Sequence, residues 1–191
     1  WLPRWKRAMM PKKMTLMAQK ASRILVPSPF LQTEIALRTG KNAAHILVAS
    51  PWADPSFAPL GWDQKLHTLE AETEGAEFFL FAGAMHPSID WTVILKAFSR
   101  FKKWQKSSMK LVLVATEPGD FTDFETKLAS YKYRGDVVWK GYKRKDRRAA
   151  LYAAAYAFVY PSAYDGFAMP VLEALQSGTP VITSAKSSMP E

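Results

Sequence analysis

Cysteine is absent from all 191 residues, which rules out disulfide frameworks, thiolate metal sites and cysteine nucleophiles, and accords with a reducing compartment. Histidine is nearly as scarce. His45, His67 and His86 show none of the spacings of a zinc site, so no metal is expected. No run of about 18 apolar residues exists to cross a membrane. The opening "WLPRWKRAMMPKK" lacks both the apolar stretch of a signal peptide and an initiator Met, so the chain reads as an excerpt of a longer protein. Internal repeats and low-complexity tracts are also missing.

What is present is a globular composition. With 48% hydrophobic residues, the chain can bury a core for one domain or one and a fraction. The net charge of +9 is spread in blocks: residues 1–50 carry 9 basic and 1 acidic side chains, 51–90 carry 1 and 7, 91–148 carry 15 and 6, and 149–191 carry 1 and 3. "KGYKRKDRR" places Lys140, Lys143, Arg144, Lys145, Arg147 and Arg148 within nine positions. Such patches can meet anionic lipid or nucleic acid, although solvated loops and helix faces are the plainer reading.

Apolar runs "RILVPS", "HILVAS", "EFFLFAG", "KLVLVA", "DVVWKG", "AFVYPS" and "TPVITS" read as strands buried on both faces. Helical segments fall between most of them, at 29–39, 62–74, 90–105, 121–132, 145–156 and 170–177. This alternation predicts an α/β fold with a parallel, doubly wound, Rossmann-like sheet. In the helix capped by Asp90, Val93, Ile94, Ala97, Phe98, Phe101 and Trp104 form an expected core stripe, with Arg100, Lys102, Lys103 and Lys106 pointing elsewhere. Between Ser50 and Leu60, Pro51, Pro55 and Pro59 mark a candidate linker.

Ligands of a doubly wound sheet bind beyond the carboxyl ends of its strands. After "AFVY" the chain reads Pro161-Ser162-Ala163-Tyr164-Asp165-Gly166-Phe167-Ala168-Met169, and Pro170 opens a helix that Gly178 ends. That helix N-terminus suits a phosphate, and Gly166 with small Ala168 would let a diphosphate approach the backbone. Glu173, one turn into the helix, can accept hydrogen bonds from ribose hydroxyls, and Asp165 can do the same for a sugar ring. Alternatively, Asp165 only caps the turn and Glu173 is a solvated helix residue.

The 33 residues "VYPSAYDGFAMPVLEALQSGTPVITSAKSSMPE" closely resemble the signature of the retaining glycosyltransferases of family 4, group 1, which have the GT-B fold. Weaker likeness runs through "FLFAGAMHPSIDWTVILKAFSRF", "GYKRKDRRAALYAAAYAFVYPS" and "ASRILVPSPFLQTEIALRTG". The resemblance implies that residues 1–55 are the end of an acceptor-side domain with the interdomain linker, and 56–191 a donor-binding domain, truncated at its C-terminus and inactive alone. It makes Glu173 the ribose-binding acid and Asp165, in place of the usual Glu, the contact to the donor sugar. Gly166, Phe167, Ala168 and Met169 become the backbone along the sugar and diphosphate, Gly141 and Tyr142 lie near the base, and Gly83 is the glycine after the first donor-domain strand.

The implied reaction is metal-independent hexosyl transfer with retention, from a UDP- or GDP-linked sugar to a glycan or lipid-linked acceptor. No cofactor is implied beyond that co-substrate. Relatives with "GAIHPRKN"-like sequences build bacterial surface polysaccharides from the cytoplasmic side, so a cytoplasmic location with peripheral contact to the anionic inner membrane face is expected, without nucleic acid as a partner. One departure points the other way. In "GAMHPSID", Ala84, Ser88 and Ile89 stand where the family carries an Arg and a Lys, and loss of one preorganised donor can cost roughly 100- to 1,000-fold in rate. A nucleotide-binding or scaffolding pseudoenzyme is the alternative.

Overall fold

The computed structural model describes residues 4–84, 91–145 and 148–191, with side chains from residue 12 onward. Two compact units result: Trp1–Trp52 with Tyr164–Phe167 and Lys186–Glu191, and Ala53–Ala163 with Ala168–Ala185. The change of unit after Trp52 falls within the proline-containing stretch. Two short later segments belong to the first unit, and nothing in their composition announced it.

The first unit contains α1 (Arg4–Lys20), β1 (Ile24–Val26), α2 (Pro29–Thr39) and β2 (Ile46–Val48). Helix α1 was not expected, because its sequence carries no apolar stripe; good helix formers from Lys12 to Lys20 support it instead. Helix α2 has clear boundaries. Extended Ser28 accepts the Leu31 N–H at 3.2 Å, Pro29 sits at the first helical position, and left-handed Gly40 donates to Ala36 O at 2.9 Å. Strands β1 and β2 pair in parallel with Ile24 opposite Ile46, and Gln32 Nε2 on α2 donates to Ile46 O at 2.6 Å. Val26 and Ile46 are buried, whereas Leu25, Leu47 and Val48 are exposed, so burial on both faces does not hold here. Among the described residues, a two-stranded sheet with one crossover helix leaves a face uncovered.

In the second unit, five parallel strands follow the order β5-β4-β3-β6-β7: β3 (Phe78–Gly83), β4 (Lys110–Ala115), β5 (Val137–Tyr142), β6 (Ala157–Tyr160) and β7 (Val181–Thr183). Central β3 and β4 are buried on both faces as expected, while edge strand β7 exposes Ile182. Phe57, Phe78, Phe81, Tyr152 and Phe158 are fully buried, each worth about 1.5–3 kcal/mol of apolar burial. The helices are α3 (Trp62–Thr73), α4 (Trp91–Gln105), α5 (Thr122–Ala129), α6 (Ala149–Ala154) and α7 (Met169–Gln176).

Helix α4 departs from its expected stripe. Ile94 and Phe98 are buried and Phe101 packs edge-on to Phe79, yet Val93, Ala97 and Trp104 are exposed. Lys102, expected outside, is buried. Its stem follows the helix while Nζ reaches Asp136 at 3.1 Å and donates to the carbonyls of Ser107 and Met109. Asp90, the expected cap, lies outside the described residues. Helix α6 is shorter than the 145–156 expected, because Ala155 turns extended and Tyr156 N–H already bonds to Phe78 O at 2.9 Å, feeding β6.

Chain direction across the sheet positions the site. From β3 the chain moves through α4 to β4 and on to β5, whereas β6 and β7 lie on the other side of β3. The order therefore reverses between β3 and β6, and the crevice outside their carboxyl ends is where such sheets bind ligands.

Candidate functional site

Three strand ends in the second unit carry expected site residues. Gly83 closes β3, buried, with its carbonyl taking the Thr116 N–H at 3.0 Å. Ala84 follows, half-buried. His86, Ser88 and Ile89 lie outside the described residues. Gly141 sits at the irregular end of β5 with φ +61°, a left-handed conformation that favours glycine, and a Cβ there would meet no atom within 4 Å. Tyr142 after it is 40% exposed.

Beside this end of β5 opens a cavity of about 420 Å³ lined by Asp54, Ser56, Tyr142, Arg144 and Lys145. Asp54 accepts the Ser56 N–H at 2.9 Å and pairs with Lys145 Nζ at 3.3 Å. The Ser56 hydrogen bonds, then Lys145, hold its carboxyl down to about 2. An aromatic ring, two cations and an anchored acid thus share one opening.

Helix α7 begins differently from the expected phosphate seat. Ala168 is its N-cap at φ +52°, a strained conformation for alanine, and it offers no side-chain cap. Of the four positions Met169 to Leu172, Pro170 has no N–H, and Val171 and Leu172 donate to Ala168 O at 2.9 and 3.4 Å. The Met169 amide and the helix dipole are what remain for an anion.

Glu173 is buried, with 5% of its surface exposed. Burial pushes its carboxyl above the usual range, as does Asp54, against the opposing pull of the Arg148 guanidinium, the Tyr152 phenol and Lys145. Arg148, just before α6, is 7% exposed, and its Nε and Nη1 have no hydrogen-bond partner among the described residues. Tyr152 follows one turn later, its hydroxyl fully buried and likewise without a hydrogen bond of ordinary geometry. Helices α6 and α7 pack together.

Asp165, Gly166 and Phe167 belong to the first unit. Asp165 accepts the Phe167 N–H at 3.2 Å, its own N–H donates to Ser187 Oγ at 3.0 Å, and its carbonyl accepts from Ser188 Oγ at 2.9 Å. The turn-capping arrangement is therefore present. Gly166 gives its carbonyl to Ser28 Oγ at 2.7 Å, and a Cβ on it would stand 2.7 Å from Leu31 Cδ1. Close packing against Leu31 is thus what demands a glycine here.

Lys145, Arg148, Asp54 and Tyr152 were missed by sequence reasoning. The first two lie inside a basic run read as solvated surface. The four-residue step from Arg148 to Tyr152, ahead of an alanine-rich helix, was the available signal.

Residues 64–191 match the family model for glycosyl transferases group 1. The chain belongs to that family. O-antigen chain mannosyltransferase B of Escherichia coli is 30% identical over 173 residues, which cover 90% of this chain and 45% of that protein. O-antigen chain mannosyltransferase RfbU of Salmonella typhimurium is 30% identical over 111 residues, 58% of this chain and 30% of that one. Among solved structures, Anabaena Alr3699/HepE in complex with UDP and glucose aligns with a TM-score of 0.77 at 16% identity, covering 95% of this chain and 49% of that one. This group 1 chain thus spans less than half the length of these relatives, and its fold is the expected α/β arrangement of the GT-B donor half. No helix among the described residues is long and apolar enough to cross a membrane. Nor do three His, Asp or Glu side chains gather as metal ligands among them.

Proposed function

We propose that the full-length protein transfers a hexose from a UDP- or GDP-linked sugar to a glycan or lipid-linked acceptor in bacterial surface polysaccharide synthesis, with retention at the anomeric carbon. The observation that carries this reading is Glu173: a carboxylate buried at the topological switch point, on the helix following the β6 loop, in a group 1 glycosyltransferase. It takes the ribose hydroxyls. Tyr142 and Gly141 border the base, and Lys145 with Arg144 and the Met169 amide face the charge that develops on the diphosphate. The bond from the anomeric carbon to the diphosphate oxygen breaks as the acceptor oxygen bonds to that carbon. The acceptor's proton leaves with the diphosphate, so the step needs no separate base and no metal.

Mannosyltransferase relatives and a structural neighbour holding UDP and glucose support a nucleotide-sugar donor. Asp165 is assigned to the donor sugar by its position in the motif. The second reading, a nucleotide-binding protein without turnover, is favoured by Ala84, a side chain with no charge where the family carries a cation.

Calorimetric titration with UDP, GDP, ADP and their nucleosides tests the site. A diphosphate that binds at least tenfold more tightly than its nucleoside supports the transferase; equal or absent binding overturns the diphosphate assignment. Sugar transfer by the full-length protein then separates the transferase from its inactive alternative.

A further inference from the structure

The cavity at the end of β5 holds a charge pair that the fold fixes from several sides. Asp54 accepts the Ser56 N–H at 2.9 Å and lies 3.3 Å from Lys145 Nζ, and that ammonium stands 5.9 Å from the centre of the buried Phe57 ring. Gln176 on α7 donates through Nε2 to the carbonyls of Asp54 and Phe57, each at 2.9 Å, so the loop carrying the acid is tied to a helix. Both charged side chains still reach solvent, at 43% exposed for Asp54 and 45% for Lys145. An ion pair that open to water adds little to stability. It does present a fixed pattern on the cavity wall, one cationic donor beside two carboxylate acceptors.

Tyr142 lines the same cavity. An aromatic ring gives every base a face to stack on, and so does not choose among them. The choice falls to the edge of the base. Guanine carries, side by side, the O6 acceptor and the N1–H and N2–H donors, which match Lys145 and the two oxygens of Asp54 in order. Uracil has a carbonyl on each side of its one N–H, so a bond to Asp54 brings a carbonyl against the second carboxylate oxygen. Adenine and cytosine offer a single amino group next to a bare ring nitrogen, and meet the pair with one bond fewer.

We propose that the pair of Asp54 and Lys145 determines the donor base and selects guanine, so that the co-substrate is a GDP-linked sugar. The role rests on the donor-binding reading given above, in which Gly141 and Tyr142 border the base. Lys145 then serves the base edge, and Arg144 with the Met169 amide keeps the diphosphate. Asp54 is a carboxylate throughout the neutral range, because the Ser56 hydrogen bonds and then Lys145 hold it down to about 2.

Calorimetry on the full-length protein compares GDP, UDP and inosine diphosphate, which is GDP without the N2 amino group. GDP should bind about tenfold or more tightly than UDP, and about fivefold more tightly than inosine diphosphate. Asp54→Asn keeps an oxygen for the Ser56 N–H but sets an amide NH2 against a guanine donor. It should remove most of the preference for GDP over the other two, whereas Tyr142→Ala should weaken all three by a similar factor and leave their order in place. That order is what a merely structural aspartate would not move, since a disturbed turn weakens every nucleotide alike.

GDP binding no tighter than UDP overturns the guanine assignment and leaves the donor reading standing. A GDP preference that survives Asp54→Asn overturns the role of the pair in the same way. Should that variant not fold, GDP against inosine diphosphate decides alone, and equal affinities overturn the assignment. If none of the three diphosphates binds the unmodified protein, the donor reading itself is overturned, and the base assignment with it.

Discussion

Asp165 and Glu173 stand eight residues apart in one motif, and the fold treats them in opposite ways. Around Asp165, backbone and side-chain partners close a turn whose polar groups answer one another: Phe167 N–H, Ser187 Oγ and Ser188 Oγ. Around Glu173, Arg148 and Tyr152 are left with unmet hydrogen-bonding capacity in a buried setting. Satisfied polar groups stabilise a loop. Unsatisfied buried ones are costly, and they persist where a ligand completes them or where a charge must be held. The contrast supports a proposed site centred on Glu173, and it gives Asp165 a structural duty in closing its turn.

The strongest test of this contrast is substitution of both acids. Glu173→Ala should weaken nucleoside diphosphate binding by about 1–3 kcal/mol, the worth of a hydrogen bond to a charged group, whereas Asp165→Ala should leave it nearly unchanged in calorimetry. Equal losses would break the comparison. Next in size is Gly166→Ala, whose new Cβ falls 2.7 Å from Leu31 Cδ1. It should cost about 1–3 kcal/mol in denaturant unfolding, and adding Leu31→Ala should remove the clash, which the double-mutant cycle will read as coupling. A smaller gain is expected from Ala168→Gly: relief of the positive φ should stabilise the chain by about 0.5–1 kcal/mol.

The smallest effect concerns pH and sharpens the contrast between buried and exposed acids. The Glu173 carboxyl is raised above 4.5 in the folded chain, chiefly by burial, so its contribution favours folding fully below 4.5 and is lost as pH rises through the folded value. Asp54 is lowered from 3.8 to about 2, chiefly by Ser56, so its contribution is present above 3.8 and lost as pH falls toward 2. Thermal unfolding across pH 2–8 should show Asp54→Asn flattening the acid limb slightly, because its carboxylate is exposed and solvent-screened. Glu173→Gln should instead flatten the profile above pH 4.5.

Much of this architecture was legible beforehand because local pattern and tertiary outcome coincide. Each of the seven apolar runs contains a strand among the described residues, since β-branched and aromatic residues in short continuous runs suit extended backbone even where, as in β1, β2 and β7, part of the strand stays exposed. Pro29 and Gly40 bound α2 because their dihedral preferences act within a few residues. Pattern was weaker where coverage decided the outcome. Val93, Ala97 and Trp104 repeat at helical spacing yet stay exposed, and the Arg100 guanidinium, 5.5 Å from the centre of the Trp104 ring, leaves that ring largely open to solvent.

By itself, then, the sequence determined the strand and helix alternation, the helix boundaries set by proline and glycine, and membership of the glycosyltransferase family through a motif contiguous along the chain. Only the tertiary structure decided which charges are buried. Desolvation depends on what packs above a side chain from distant parts of the chain, and so Lys102 and Arg148, alike in sequence to their solvated neighbours, became interior cations.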